Sequence, residues 1–541
     1  MAAILRNSGG LVTTSSVVKD KYIRNDEYLD LPNLVNGDEK IYILAMIYEQ
    51  SNYFEFYATG DYQIDWGDGQ GVQSYSSGTY AEYSVDWNNI SSSTTTSLGL
   101  KQIIITVEPQ VGSSLTFFRI YGGSNSYEPL NYNHHIRDIK MAGQNFTSFA
   151  SSFNSIGGLE QFEFIGTAPS ATSVHSMFKS SGVRKIISLD TSNVTQFFDF
   201  FSACSLLVEI PKFNLSSATN VLNMFENNYR LTYIDPWDLD VDAPNLTSIS
   251  LMFDGVPVKN VPITSCSNIT NFTNCFLNTK FKTFNLPCPS AIYTGGMFSG
   301  CVDLETISTV FPNTITSAYS MFSSCSKLKD LTPFDTSNIT AASFMFYGTS
   351  SLKDISWVDF SSVTDIREMF RGSRIEKLPN IFNKVDVVST AEIFFSSSFV
   401  INPNSLDGVK ANSLYRFAKS SGSLERVPLL DVTSVTDIRQ AFSGCVRIPS
   451  LPSWDLSGVT TSDTTSFSSC TSLRESNITG LTRTHSYASC KLDRSAIVNI
   501  FNNLGTSSGT QTIYVTGNPG SSDLTSSDLL IATNKGWIVV S

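Results

Sequence analysis

The dipeptide Met-Phe returns along this chain with a spacing that one globular core cannot explain. Seven of the ten methionines stand directly before a phenylalanine, at Met177, Met224, Met252, Met297, Met321, Met345 and Met369. Taking the aromatic residue of each such element as a marker gives Phe153, Phe178, Phe201, Phe225, Phe253, Phe276, Phe298, Phe322, Phe346, Phe370, Phe394, Phe417, Phe442, Phe467 and Tyr487. Most steps are 23 to 25 residues, with a step of 28 after Phe225 and one of 20 before Tyr487. A unit of that length has almost no interior of its own. It can bury an apolar face only by stacking on its neighbours, so a fixed period in this range predicts a solenoid of about fifteen coils.

Each copy carries the same inner text. After the marker come a small residue, a Leu or Ile pair, a polar turn, and Val or Ile before Thr: Leu328, Leu331, Asp335-Thr-Ser-Asn338 and Ile339-Thr340 in one copy. Six of the nine cysteines (Cys204, Cys301, Cys325, Cys445, Cys470 and Cys490) fall three residues after a marker, where other copies have Ser, Thr or Asn. The position therefore calls for a small side chain, and a buried free thiol serves as a small hydrophobe. The segments Asp190–Asn193 and Asp335–Asn338 read as turns whose Asp, Ser and Asn side chains bind backbone groups. They also create the sequons at Asn193 and Asn338, which matter only on an exported chain.

Composition narrows the partners. Charged residues make up 16% of the chain and the net charge is −12, so nucleic acid is not an expected partner, because its affinity rests on Lys and Arg. No stretch of about 18 apolar residues is present for membrane insertion, and the amino terminus lacks the apolar run of a secretory signal. No Cys-x-x-Cys pair accompanies a histidine, which leaves zinc unsupported.

The pattern Phe-x-x-Cys-x-x-Leu-x-x-Leu, then Asp-Thr-Ser-Asn-Val-Thr, then Met-Phe resembles the BspA-type leucine-rich repeat of bacterial surface proteins, which is also widespread in phage structural proteins. The resemblance covers roughly residues 146–490. It implies surface exposure and binding, and no catalysis. Upstream, runs at 40–48, 53–57, 62–65, 80–85, 102–107 and 115–121 read as strands of an all-β sandwich spanning 37–140. Within it Asp65-Trp-Gly-Asp-Gly69 and Gly78-Thr-Tyr80 are similar to the signature of PKD-like domains, which are immunoglobulin-like; there Trp66 packs while Asp65 and Asp68 tie down the turn. Residues 1–36 read as an attachment arm, disordered or ordered only against a partner. Residues 491–541 read as a capping unit with a helix over 492–504, a strand at 512–516, a second helix at 526–532 and a strand at 537–540. The expected fold is thus mainly β: an immunoglobulin-like β-sandwich, a leucine-rich-repeat solenoid over 141–490 and a small α/β cap.

Catalytic templates do not fit. Gly505-Thr-Ser-Ser-Gly509 has the spacing of a nucleophile elbow, yet follows a helix where the elbow needs a strand. Asp238, Asp240 and Asp242 alternate like a calcium loop but lack its Gly and its final Glu. His134, His135, His175 and His485 have no nucleophile or metal partner at recognisable spacing. No catalytic, cofactor-binding or metal residue is assigned, and no cofactor is expected. The function expected is that of a non-enzymatic phage virion protein, a fibre or decoration protein made in the host cytoplasm. It would dock on other virion proteins through its amino-terminal region and present the repeat rod to a host-surface glycan or protein, with a homo-oligomer among its partner options. A BspA-type bacterial cell-surface adhesin and a polysaccharide-degrading tailspike are the alternatives.

Overall fold

The computed structural model describes residues 21–49, 52–121, 135–379, 381–382, 387–397, 403–507 and 509–541. It begins with β1 (Lys40–Ile47), β2 (Tyr53–Thr59), β3 (Tyr62–Asp65), β4 (Val72–Tyr75), β5 (Tyr80–Ser84), β6 (Lys101–Pro109) and β7 (Phe117–Ile120). Six of these lie where alternating aromatic and β-branched residues predict strands; β4, the pattern VQSY, is too polar to announce itself. Then come β8 (Ile136–Ala142), β9 (Gln161–Ile165) and β10 (Lys185–Ser188). One sheet runs in the order β10-β9-β8-β1-β6-β3-β4, and a second in the order β5-β2-β7. Their inner faces meet on Ile41, Ile43, Phe54, Phe56, Trp66 and Phe118.

The position at which the sequence reading divides the first two units falls inside β8. That strand is antiparallel to β1 on one side and parallel to β9 on the other, so the ladder of the amino-terminal sheet becomes the ladder of the coils without a break. The second sheet hands over too: Ile120 N–H donates to Ser152 O at 2.9 Å, and Thr147 N–H to Thr116 O at 2.9 Å. Buried side chains from Ile41 to Trp537 form one contiguous core.

Beyond β10 the chain is a solenoid of the leucine-rich-repeat kind, built from two- and three-residue parallel strands and overlapping turns. The marker rings form a column. From Phe153 to Phe394 each ring lies 5.4–6.4 Å from the next, with planes within 29° of parallel. The Met before each Phe has a backbone role: Phe298 N–H donates to Met321 O at 3.0 Å, and Phe322 N–H to Met345 O at 3.1 Å. Two residues to either side of the ring the backbone turns left-handed, for example at Ser176 and Ser180 (φ 53° and 58°) or Asn274 and Asn278 (φ 54° and 59°). Such φ values suit Gly, Asn and Asp. That requirement explains the Ser, Asn, Asp and Gly at many of these positions, although Leu251, Phe344, Glu368 and Glu392 adopt the same conformation.

One marker is misplaced by the sequence reading. Phe417 has the wrong turn geometry for the ring station, since positive φ falls at Arg416 and Ser420 and centres the arc on Ala418. Ala418 N–H donates to Ala441 O, and Phe394 N–H donates to Phe417 O, the bond that a Met makes elsewhere. Phe417 therefore sits in the Met station and fills the gap from the side. Its ring is turned 87° from Phe394 and 53° from Phe442. With Ala418 as the marker, the steps of 23 and 25 become two of 24.

The cysteine station is also more than small. Cys204, Cys301, Cys325, Cys445, Cys470 and Cys490 each direct Sγ at the carbonyl oxygen of the preceding coil's marker, 2.8–3.1 Å away. Ser397, Ser421 and Asn228 do the same with oxygen or amide donors. Burial pushes the thiols of Cys204, Cys301 and Cys445 up to about 12, so each stays a protonated donor. A buried carbonyl needs a partner. Cys, Ser and Asn supply one across coils, whereas Thr279 and Thr349 turn their hydroxyls to the marker carbonyl of their own coil. All nine cysteines are buried and unbridged.

The polar turns behave as read. Asp190 and Asp335 accept the N–H of Ser192 and Ser337 at 3.1 and 3.0 Å. The sequon residues Asn193 and Asn338 donate across coils to Pro169 O and Asn313 O. At the carboxyl end, Arg494–Asn503 and Ser526–Thr533 are helices, and strands Gln511–Tyr514 and Trp537–Val540 continue the parallel ladder from His485–Ser486. Asp493 caps the first helix. Asn518 fills the donor station once more, bonding Tyr487 O at 2.8 Å and Val515 O at 2.7 Å.

Of residues 1–36, read as an arm disordered or ordered only against a partner, 1–20 lie outside the described residues and 21–36 lie against the chain's own sheet. Arg24 Nε reaches the buried Asp138 at 2.6 Å, and the Tyr22 hydroxyl reaches Glu160 at 2.7 Å. A carboxylate as enclosed as Asp138 is costly without a cation, and Arg24 supplies it.

Candidate functional site

Most of the coil surface is Ser, Thr and Asn, and one face departs from this. The strict period of 24 from Phe298 to Phe442 superimposes equivalent positions, so the residue after each marker forms its own column: Tyr347, Arg371, Phe395 and Lys419. Ring and cation alternate. Arg371 Cζ lies 5.6 Å from the Tyr347 ring centre and 4.4 Å from that of Phe395, and Lys419 Nζ lies 5.9 Å from Phe395. Beside this column Arg416 spans Phe395 and Tyr415 at 5.9 and 5.0 Å, and Arg439 covers Tyr415 at 5.2 Å.

Acids hold these cations from below. Arg371 Nη1 contacts both Glu368 and Glu392 at 2.7 Å, while Arg416 approaches Glu392 at 3.6 Å. The Glu392 side chain is only 11% exposed, so the outward layer is guanidinium and ring rather than carboxylate. Gln440 Oε1 accepts from Arg416 Nε at 2.9 Å and Lys419 Nζ at 2.7 Å. Residues 361–440 contain ten Lys and Arg against nine Asp and Glu, in a chain with 36 against 48. This stretch is thus less acidic than the chain as a whole. Sequence reasoning missed the face, although the signal is plain once coils are aligned on their markers. What obscured it was the misread station at Phe417, which puts Lys419 one place out of register.

The residues weighed for chemistry do not converge. Ser507 donates to Gly536 O at 2.7 Å and to Gly509 O at 3.2 Å, in a loop between a helix and a strand. Asp242 pairs with Lys212 at 2.7 Å, Asp240 accepts from Ser267, and Asp238 accepts from Ser265, so the three carboxylates serve separate partners. Asp65 accepts from Gly67 N–H, Asp68 from Gln70 N–H and the Tyr83 hydroxyl, and Trp66 stacks on Tyr83 at 4.9 Å. His175 stacks on Phe198 at 4.6 Å and His135 packs edge-on to Tyr48; His134 lies outside the described residues. His485 is fully buried with Nδ1 3.1 Å from Ser466 Oγ. Asp463 bonds that serine rather than the imidazole, and Ser466 is itself fully buried, so the trio is a structural network. Among the described residues no group of three or more His, Cys, Asp or Glu could hold a metal ion, and no helix is long and apolar enough to cross a membrane.

These features define a mainly β repeat protein of the leucine-rich-repeat-like solenoid class, whose most differentiated surface is a stacked array of rings and cations. Residues 172–288, 292–381 and 316–415 match a family described as Mycoplasma protein of unknown function, DUF285. Similar solved structures include a leucine-rich repeat protein from Eubacterium ventriosum, at 15% identity and TM-score 0.29, covering 49% of this chain and 91% of that one. A leucine rich cell surface protein from Faecalibacterium prausnitzii aligns at 16% identity and TM-score 0.31, covering 68% and 90%. The TLR13–ssRNA13 complex aligns at 13% identity and TM-score 0.17, covering 70% and 50%. No curated protein matches the chain.

Proposed function

We propose that this chain is a non-enzymatic adhesive protein that recognises a partner through the face centred on Tyr347, Arg371, Phe395 and Lys419. The single observation that carries this reading is the alternation of ring and cation in one column across four coils. Tyr and Arg are enriched where binding energy concentrates, and here salt bridges fix Arg371 and Arg416 in advance. Binding in place of catalysis is supported by the separate partners of the candidate carboxylates, serines and histidines described above.

The repeat's resemblance to both bacterial surface proteins and phage structural proteins supports two settings. We favour a fibre or decoration protein of a phage particle, with an immunoglobulin-like, PKD-like amino-terminal unit facing the particle; the alternative is a BspA-type adhesin on a bacterial surface. Binding of fluorescently labelled protein to intact bacteria tests the adhesive reading. The Tyr347→Ser/Tyr415→Ser double variant should lose about tenfold or more in affinity, with Tm unchanged. Equal binding by wild type and variant would remove this face from the function. Release of reducing ends from capsule by the purified chain would favour a polysaccharide-degrading tailspike instead.

A further inference from the structure

The outer face of the three-stranded sheet breaks the rule for a solvated antiparallel sheet, which places polar residues outward. On β2, Phe54, Phe56 and Ala58 point into the core, which leaves Glu55 and Tyr57 outward. Across the strands Tyr57 pairs with Tyr80 and Arg119, and Glu55 with Glu82. The outward rings form a chain: Tyr121 to Tyr80 is 5.1 Å, Tyr80 to Tyr57 is 5.3 Å, and Tyr57 to Phe117 is 6.1 Å between ring centres. Tyr80 is 47% exposed and its hydroxyl meets that of Tyr121 at 3.1 Å.

Two features beside the rings are out of balance. Glu55 and Glu82 stand directly opposite each other, a like-charge pair that disfavours the sheet, and neither forms a salt bridge among the described residues. Arg119 lies with Cζ 4.3 Å from the Tyr121 ring centre, and its buried Nε has no hydrogen-bond partner among the described residues. Carboxylates in want of donors, a guanidinium donor in want of an acceptor and a row of rings ask for one kind of occupant. It must offer apolar C–H faces together with hydroxyl groups that both donate and accept.

We infer that this face is a second binding site, independent of the solenoid face, and that it takes a β-linked oligosaccharide laid along Tyr121, Tyr80, Tyr57 and Phe117. Each ring-to-ring step is on the scale of one sugar ring. Hydroxyl groups of the glycan donate to Glu55 and Glu82 and relieve their opposition, and a glycan oxygen accepts from Arg119. The footprint also argues for a glycan over a protein. Three strands at about 4.8 Å spacing, the longest of seven residues at about 3.4 Å each, give a platform of about 10 Å by 24 Å, or ~240 Å², far below the ~800 Å² per partner of a standard protein interface.

Titration calorimetry of the full chain with cellotetraose, and separately with the N-acetylglucosamine trimer, tests the site. Binding of at least one probe is expected, weakened about tenfold in Tyr57→Ala/Tyr80→Ala. The same probe should bind Glu55→Gln more weakly but the solenoid variant Tyr347→Ser/Tyr415→Ser as well as wild type, which keeps this site's failure separate from that of the adhesive face. Thermal unfolding checks that each variant is folded, and outward positions should leave Tm within a few degrees. Failure of both probes at millimolar concentration, or binding that survives the double substitution in a folded variant, overturns the site. A concentration-dependent dimer in sedimentation that the double substitution abolishes would overturn it in favour of a contact between copies.

Discussion

Cys325 shows how much a single station asks of a residue. Its thiol is buried, sits 3.0 Å from Phe298 O and must stay protonated to donate. Cys325→Ala should cost about 1–2 kcal/mol because a buried carbonyl is left without a donor, whereas Cys325→Ser keeps the donor and should recover most of that loss in urea unfolding. The position of this thiol was legible in the sequence; its purpose was not, since small size and donor capacity select almost the same residues. His485 gives a pH-dependent counterpart. Burial pulls it down to about 4, against the influence of Asp463, while the unfolded chain titrates near 6.5. The folded state therefore holds the neutral ring, and stability present above pH 6.5 should be lost as pH falls toward 4, by at most about 3 kcal/mol. Asp254 works in the opposite sense: burial first, and Glu226 second, push it up to about 6, so its contribution is present at low pH and lost as pH rises through 6. The two windows overlap between about pH 4 and 6 with opposite slopes, so thermal scans from pH 4 to 7.5 should show Asp254→Asn steepening the rise of stability with pH there and His485→Gln reversing it.

At the scale of one coil, the ring column follows from a backbone that reverses its handedness on both sides of each station from Phe153 to Phe442. The spacing of Met-Phe made the column visible, and the turn residues made the coil boundaries visible. The error at Phe417 arose from reading an aromatic ring as the station itself. Chemistry alone pointed to Phe417, whereas positive φ at Arg416 and Ser420 gives the station to Ala418. This correction predicts an asymmetry. Ala418→Phe alone should be destabilised by about 1–3 kcal/mol, because two rings would compete for space filled by one. Phe417→Met/Ala418→Phe restores the pattern of the neighbouring coils and should regain most of that stability in chemical denaturation. If the double variant is no better than the single one, the assignment of stations in this coil is wrong. The ring and cation columns were legible in the same sense: every residue was present at its spacing, but only the corrected register aligns Tyr347, Arg371, Phe395 and Lys419.

For the whole molecule, neighbour-only contacts set the rules of addition and removal. Deleting one full period, residues 299–322, should leave a folded chain with unfolding still cooperative, because Phe298 then faces Phe346 in the same geometry. Ending the chain at residue 490 instead bares the layer of Phe467 and Tyr487, which stack at 4.8 Å, and should yield soluble aggregates on size exclusion. The two ends were unequally readable. The carboxyl-terminal helices and strands declare themselves by period and capping residues. The amino-terminal continuity does not, because β8 belongs to two patterns at once. That shared strand has a mechanical meaning. With β1 on one flank and β9 on the other, the described residues of the amino-terminal unit and of the coils share one sheet, so a load that pulls them apart must shear its hydrogen bonds. The two faces proposed for binding, one on the amino-terminal sheet and one on the coils, would therefore keep a fixed orientation to each other.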